Sequence, residues 1–210
     1  GVGAVPVRAA PAATLLAILA LCLAAPAAGA QVLRPSADTW PLFRGDGGFA
    51  GAAAVPLAAP LRLRWRFATG GPIVSSPVVG GGRAYVGSDD GEVWALDLAT
   101  GRAAWSVDAG SAVQAPPVLD GEALYVGTVG GELLRLDAAT GRLRWTASTG
   151  AQILGSANVH RASASGPATV LVGSYDGSLY AFDAATGQER WAYATGNFIN
   201  GAPAVVGGLA

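Results

Sequence analysis

Residues 181–191 read Ala181-Phe182-Asp183-Ala184-Ala185-Thr186-Gly187-Gln188-Glu189-Arg190-Trp191. Ala95 to Trp105 carries the same pattern, and Arg135 to Trp145 carries it with arginine in the first place. Trp65, Trp105 and Trp145 stand 40 residues apart, and Trp191 follows 46 later. The same offsets relate Gly87, Gly127 and Gly173, and relate Asp97, Asp137 and Asp183. They also relate the pairs Thr100-Gly101, Thr140-Gly141 and Thr186-Gly187. A fixed period of about 40 residues marks stacked units, each too small to bury its apolar faces alone.

Within one period four apolar segments alternate with turns: Ile73–Val79, Arg83–Ser88, Glu92–Leu98 and Arg102–Asp108. Each has the length of a strand. Gly80-Gly81-Gly82, Asp89-Asp90-Gly91 and Ala99-Thr100-Gly101 join them, turn sequences in which glycine supplies positive φ. Four antiparallel strands per repeat make one propeller blade. The expected fold is therefore all-β, a β-propeller of four-stranded antiparallel blades, present as about three and a half blades. The blades span about 71–110, 111–150 and 151–196, and the next begins at 197–210, where Ala202-Pro203-Ala204-Val205-Val206 echoes Ser76-Pro77-Val78-Val79. Six extra residues in the third copy, around His160 to Ala168, predict a lengthened hairpin loop. Leu61, Leu63, Trp65 and Phe67 alternate with Arg62, Arg64 and Arg66, the period of a half-buried strand. That segment matches the fourth strand of a blade, and in a closed ring such a strand completes the last blade.

With 51% apolar and 13% charged residues the chain has material for a packed core, and disorder is excluded. Its thirteen basic residues, all arginine, are balanced by fourteen carboxylates, so nothing offers the basic excess that a phosphate backbone needs. Nucleic acid is not an expected partner. Arg8, the apolar run Leu15–Leu23 and Ala28-Gly29-Ala30 follow the order of a secretory signal, with cleavage expected after Ala30. The run is shorter than the roughly 20 residues of a membrane span. Cys22, the single cysteine, lies inside this segment behind Leu21, where lipid attachment wants a small residue. The chain thus divides into a signal peptide (1–30), a lead-in (31–60) and a partial propeller (61–210), exported to the periplasm or the cell exterior.

The pattern Ala-x-Asp-x-x-Thr-Gly-x-x-x-Trp resembles the tryptophan-docking motif of pyrroloquinoline-quinone (PQQ) type propellers, and the resemblance covers residues 61–210. Trp40-Pro41-Leu42-Phe43-Arg44-Gly45 is similar to the lead-in of such propellers, which usually close with eight blades. In the motif a side chain must bond the free amides of the turn, and glycine must supply positive φ before a large flat ring. Trp105, Trp145 and Trp191, with Asp97, Asp137, Asp183, Thr100, Thr140, Thr186, Gly101, Gly141 and Gly187, are therefore read as architectural docking residues.

The resemblance implies two functional readings. Propellers of this type include an outer-membrane assembly lipoprotein, which implies a non-catalytic scaffold whose partner is another cell-envelope protein. Others are dehydrogenases with PQQ and Ca²⁺, whose vicinal cysteine pair, cation site and aspartate base would all lie outside these residues, since the chain has no Cys-Cys. An extracellular sensor domain is a third reading. No catalytic, cofactor or metal residue is assigned. Asp89-Asp90-Gly91 and Tyr175-Asp176-Gly177 sit at hairpins and read as turns, His160 reads as a solvated loop residue, and Arg62, Arg64 and Arg66 as an exposed strand face.

Overall fold

The computed structural model describes residues 35–205 except 47, 54, 55, 57, 58, 164 and 165. The expected signal peptide, its cleavage site and Cys22 lie outside the described residues, as do the last five residues of the fourth copy. Twelve strands form three four-stranded antiparallel sheets, and no helix occurs among the described residues. The first sheet holds β1 (Val78–Gly80), β2 (Arg83–Gly87), β3 (Glu92–Asp97) and β4 (Ala103–Asp108). The second holds β5 (Val118–Asp120), β6 (Ala123–Gly127), β7 (Glu132–Asp137) and β8 (Leu143–Ser148). The third holds β9 (Asn158–Arg161), β10 (Ala168–Gly173), β11 (Ser178–Asp183) and β12 (Glu189–Ala194). Each sheet runs in sequence order, as hairpin-linked strands must, and is a propeller blade.

Period-two alternation gives each sheet two apolar faces, and neighbouring sheets close on one another. Val78, Tyr85, Val93 and Ala95 of the first sheet meet Leu124, Val126, Leu134 and Leu136 of the second. Val118, Tyr125 and Leu133 of the second meet Val159, Val170, Val172 and Phe182 of the third. Each valine, leucine or phenylalanine so covered contributes roughly 1.5–3 kcal/mol. Val205, in the fourth copy, is buried with Leu171 and Ala181 on the far face of the third sheet. A bulge recurs at Ala95/Leu96, Arg135/Leu136 and Ala181/Phe182, two places before each motif aspartate. The extra residue bends the strand into the motif turn.

Three sequence expectations need correction. The first strand begins at Val78 and not Ile73. Pro72 and Pro77 cannot donate to a ladder, and the Ser75 hydroxyl substitutes for it, donating to Gly87 O (2.9 Å) and accepting from Gly87 N (3.3 Å). Residues 61–67 form no paired strand, because no third strand lies beside them among the described residues. His160 is not in a loop: it belongs to β9, opposite Thr169, and the insertion starts after Arg161.

The lead-in packs against the innermost strands. Trp40 and Val79 exchange two backbone hydrogen bonds of 2.8 Å, Leu119 N donates to Pro41 O at 2.7 Å, and Leu42 is fully buried.

Candidate functional site: interblade seams and the axial mouth

The tryptophans lie in the seams. Trp105 Nε1 donates to Ala138 O and Trp145 Nε1 to Ala184 O, both at 3.1 Å, so each indole reaches the turn of the next sheet. Beneath each ring is the motif glycine: a Cβ at Gly141 would stand 2.8 Å from Trp105, and one at Gly187 2.8 Å from Trp145. Both glycines have positive φ, +74° and +75°, so a side chain is excluded by the backbone as well as by the ring. Each turn is held from within. Asp97, Asp137 and Asp183 accept from the amide and hydroxyl of Thr100, Thr140 and Thr186 at 2.7–3.1 Å.

Trp191 is different. Its ring is 44% exposed, and no described turn lies beyond it. Trp65, outside the sequence-based set, does dock: its Nε1 donates to Leu98 O at 2.8 Å, and Gly101 lies under its ring. The 40-residue spacing was the available signal.

Arg135, the departure from the motif, has a structural counterpart. In the first sheet Arg83 on β2 donates to Ala138 O (3.1 Å) and Ala139 O (2.6 Å). In the second sheet Ala123 stands in the place of Arg83, and Arg135 instead donates to Ala185 O at 3.3 Å. The cation has moved from β6 to β7 and still reaches the next turn. Tyr85 and Tyr125 add hydroxyl bonds to Ala138 O and Ala184 O, and burial pushes the Tyr125 phenol up to about 12.

At the other end of each seam a branched side chain fills a glycine hole. Val113, Ile153 and Ile199 lie where a Cβ on Gly87, Gly127 and Gly173 would stand. Asp90 and Asp176 belong to this end: Asp90 Oδ2 accepts from Gly71 N (3.0 Å) and Asp176 Oδ2 from Gly150 N (2.7 Å). They join the hairpin to the chain entering its own blade. Arg161, at the end of the strand before the insertion, pairs with Asp120 of the preceding blade. His160 Nδ1 is buried without a hydrogen-bond partner.

Arginine sets the electrostatics of two motif turns. Arg144 beside Asp137 and Arg190 beside Asp183, each at 2.6 Å, hold those carboxyls down at about 2, with the threonine bonds helping. Asp97 lacks an arginine there, since Ala104 takes its place, and is lowered by Thr100 first.

The connections entering β1, β5, β9 and the fourth copy converge on a mouth of about 360 Å³ near the axis. Val74, Gln114, Leu154 and Asn200 occupy equivalent places around it, and Phe43 of the lead-in also lines it. None of its lining residues is ionisable.

The sequence profile described as outer membrane protein assembly factor BamB matches residues 58–166 and 156–210. The chain belongs to this family. Among solved structures it is similar to BamB from Moraxella catarrhalis, at 27% identity and a TM-score of 0.52 over 78% of this chain and 48% of that one. It is also similar in fold to a europium-containing methanol dehydrogenase (22%, TM-score 0.65, 76% and 32% covered). A quinohemoprotein alcohol dehydrogenase from Comamonas testosteroni matches likewise (24%, TM-score 0.61, 74% and 27% covered). No curated protein matches the chain by sequence. The chain thus spans about half of BamB and about a third or less of the dehydrogenases.

PQQ is a tricarboxylate, and the described residues do not fit it with its cation. No group of three or more His, Cys, Asp or Glu suited to a metal occurs among them, and no vicinal cysteines exist in the sequence. The axial mouth offers amides, two serine hydroxyls and apolar carbons but no cation to meet three carboxylates.

Proposed function

We propose that this BamB-family chain is an exported, non-catalytic propeller that acts as a protein-interaction scaffold in the cell envelope. The observation that carries the reading is the uncharged axial mouth, set in a frame whose motif carboxylates and arginines are engaged in holding turns and seams. Family membership supports the envelope assignment, as does the signal-like segment ending at Ala30. No described helix is long and apolar enough to cross a membrane. The docking face we favour is the mouth and its rim, where Val74 is 62% exposed and shares the lining with Phe43, Leu154 and Asn200. An apolar anchor within a polar rim is the usual make-up of a protein-binding hot spot.

Photo-crosslinking from position 154 in intact cells tests this, with position 143, on the outer strand β8, as control. One dominant envelope-protein adduct from position 154, absent from 143, is expected. Equal labelling from both positions, or none, counts against the mouth as docking face.

The alternative, part of a PQQ-dependent alcohol or sugar dehydrogenase, draws on the fold shared with such enzymes. It requires a cofactor site built almost wholly by residues outside those described.

A further inference from the structure

The seam between the first and second blades and the seam between the second and third differ at one strand position. In the first seam the Arg83 side chain lies across to the next motif turn, with bonds to Ala138 O (3.1 Å) and Ala139 O (2.6 Å). Arg83 stands in register with Asp97, and Ala123 with Asp137, so the two places correspond. A methyl in the place of a long guanidinium opens the second seam. A pocket of about 340 Å³ lies there, walled by Ala123, Tyr125 and Arg135 of one blade and Ala168, Ala184 and Ala185 of the next. That volume is at the small end of the range for organic ligands. The bonds across this seam are longer than their counterparts. Tyr125 reaches Ala184 O at 3.4 Å where Tyr85 reaches Ala138 O at 3.1 Å, and Arg135 reaches Ala185 O at 3.3 Å.

Two arginines and three carboxylates line the pocket. Asp120 is clasped by Arg161, and Asp183 by Arg190 and Thr186. Glu122 is exposed. Arg135 has no carboxylate partner among the described residues, its side chain makes only the 3.3 Å bond to Ala185 O, and its Nε is buried without an acceptor. A guanidinium presents five donors in a planar fork that matches a carboxylate, and a buried donor left unmet costs about 1–3 kcal/mol. An acceptor that enters the pocket and draws the guanidinium towards it relieves that cost. Because the clasped pairs cancel, one positive charge in the pocket is uncompensated, with the exposed Glu122 carboxylate beside it. A monoanion suits this balance, and a dianion meets the repulsion of the lining carboxylates.

We propose that this pocket binds a small monocarboxylate, its carboxylate held by the Arg135 guanidinium beside the Tyr125 hydroxyl and its apolar body resting on Ala123, Ala168 and Ala184. Burial keeps the Tyr125 phenol protonated, so it donates to the carboxylate. Both blades contribute to the site, and the ligand braces the seam at its motif-turn end. The pocket shares no residue with the axial mouth and is independent of what docks there.

Equilibrium dialysis of radiolabelled benzoate against the purified full-length exported protein tests this. One saturable site is expected. Benzamide, of the same shape but uncharged, and inorganic phosphate in its dianionic form, smaller than benzoate, each compete about tenfold more weakly than unlabelled benzoate, as the loss of a charge-assisted hydrogen bond implies. Arg135→Ala supplies the residue that Ala95 and Ala181 already carry at this motif place, so the blade keeps its fold. It weakens benzoate about tenfold. Ala123→Arg rebuilds the filled seam of Arg83 and abolishes binding with Arg135 still present. Arg102→Ala, at an exposed motif turn, leaves binding unchanged. Absence of a saturable site, or benzoate binding unchanged in either Arg135→Ala or Ala123→Arg, overturns the site. Benzamide or phosphate competing as well as benzoate overturns its assignment to a monocarboxylate.

Discussion

At the scale of single residues, the physics lies in what stands against each glycine and each motif aspartate. Gly127→Ala drives a methyl into Ile153, an overpacking of the kind that costs about 1–3 kcal/mol. Equilibrium urea denaturation should show that loss, and Ile153→Ala in the same chain should recover part of it. Asp183 gives a second test. Its folded pKa of about 2 lies below the ordinary carboxylate value of 3.8, so its contribution is complete above that value and is lost as pH falls towards 2. Removing the guanidinium by Arg190→Ala should raise the Asp183 pKa towards 3.8, read by carboxyl NMR. Asp97, with no arginine, should titrate above Asp137 in the same spectrum. The motif aspartates could be found from their spacing alone. The glycine holes could not, because an extended glycine at a strand end looks like any other until the neighbouring blade supplies the branched side chain that fills it.

At the scale of elements, each seam is closed by one indole, and the difference between a docked and an undocked indole can be measured. Trp145 is covered by the turn at 184–187, so Trp145→Ala should cost about 3 kcal/mol, the low end for a large aromatic. Trp191→Ala in the same 210-residue chain should stay within about 0.5 kcal/mol, since its ring meets no described turn. Comparable losses in urea denaturation would contradict the seam description. Strands two to four of each blade were legible because alternation and turn glycines agreed. The first strand was not, because Ile73–Val79 has the composition of a strand while its prolines remove the donors a ladder needs. The exchange of Arg83 for Arg135 was equally hidden, since both reach the same turn position from different strands and only the cross-strand register brings them together.

At the scale of the molecule, the described residues form an arc of blades whose outer faces differ from its interior. Trp191 and Tyr193 on one side and Leu61 and Leu63 on the other are exposed, apolar surface of the kind that associates. A chain of residues 31–210 should therefore self-associate in sedimentation velocity; a clean monomer with one cooperative unfolding transition would contradict this. Fold and repeat were legible at this scale because they are written many times over. Function was not, because the seams use the conspicuous side chains for architecture and leave an axial mouth lined by residues with no motif. The central claim, a docking propeller and not a quinone enzyme, is tested most directly by titrating the purified full-length exported protein with PQQ and Ca²⁺ while following cofactor absorbance and dye-linked alcohol oxidation. No saturable binding and no turnover are predicted; tight binding with turnover would contradict the account.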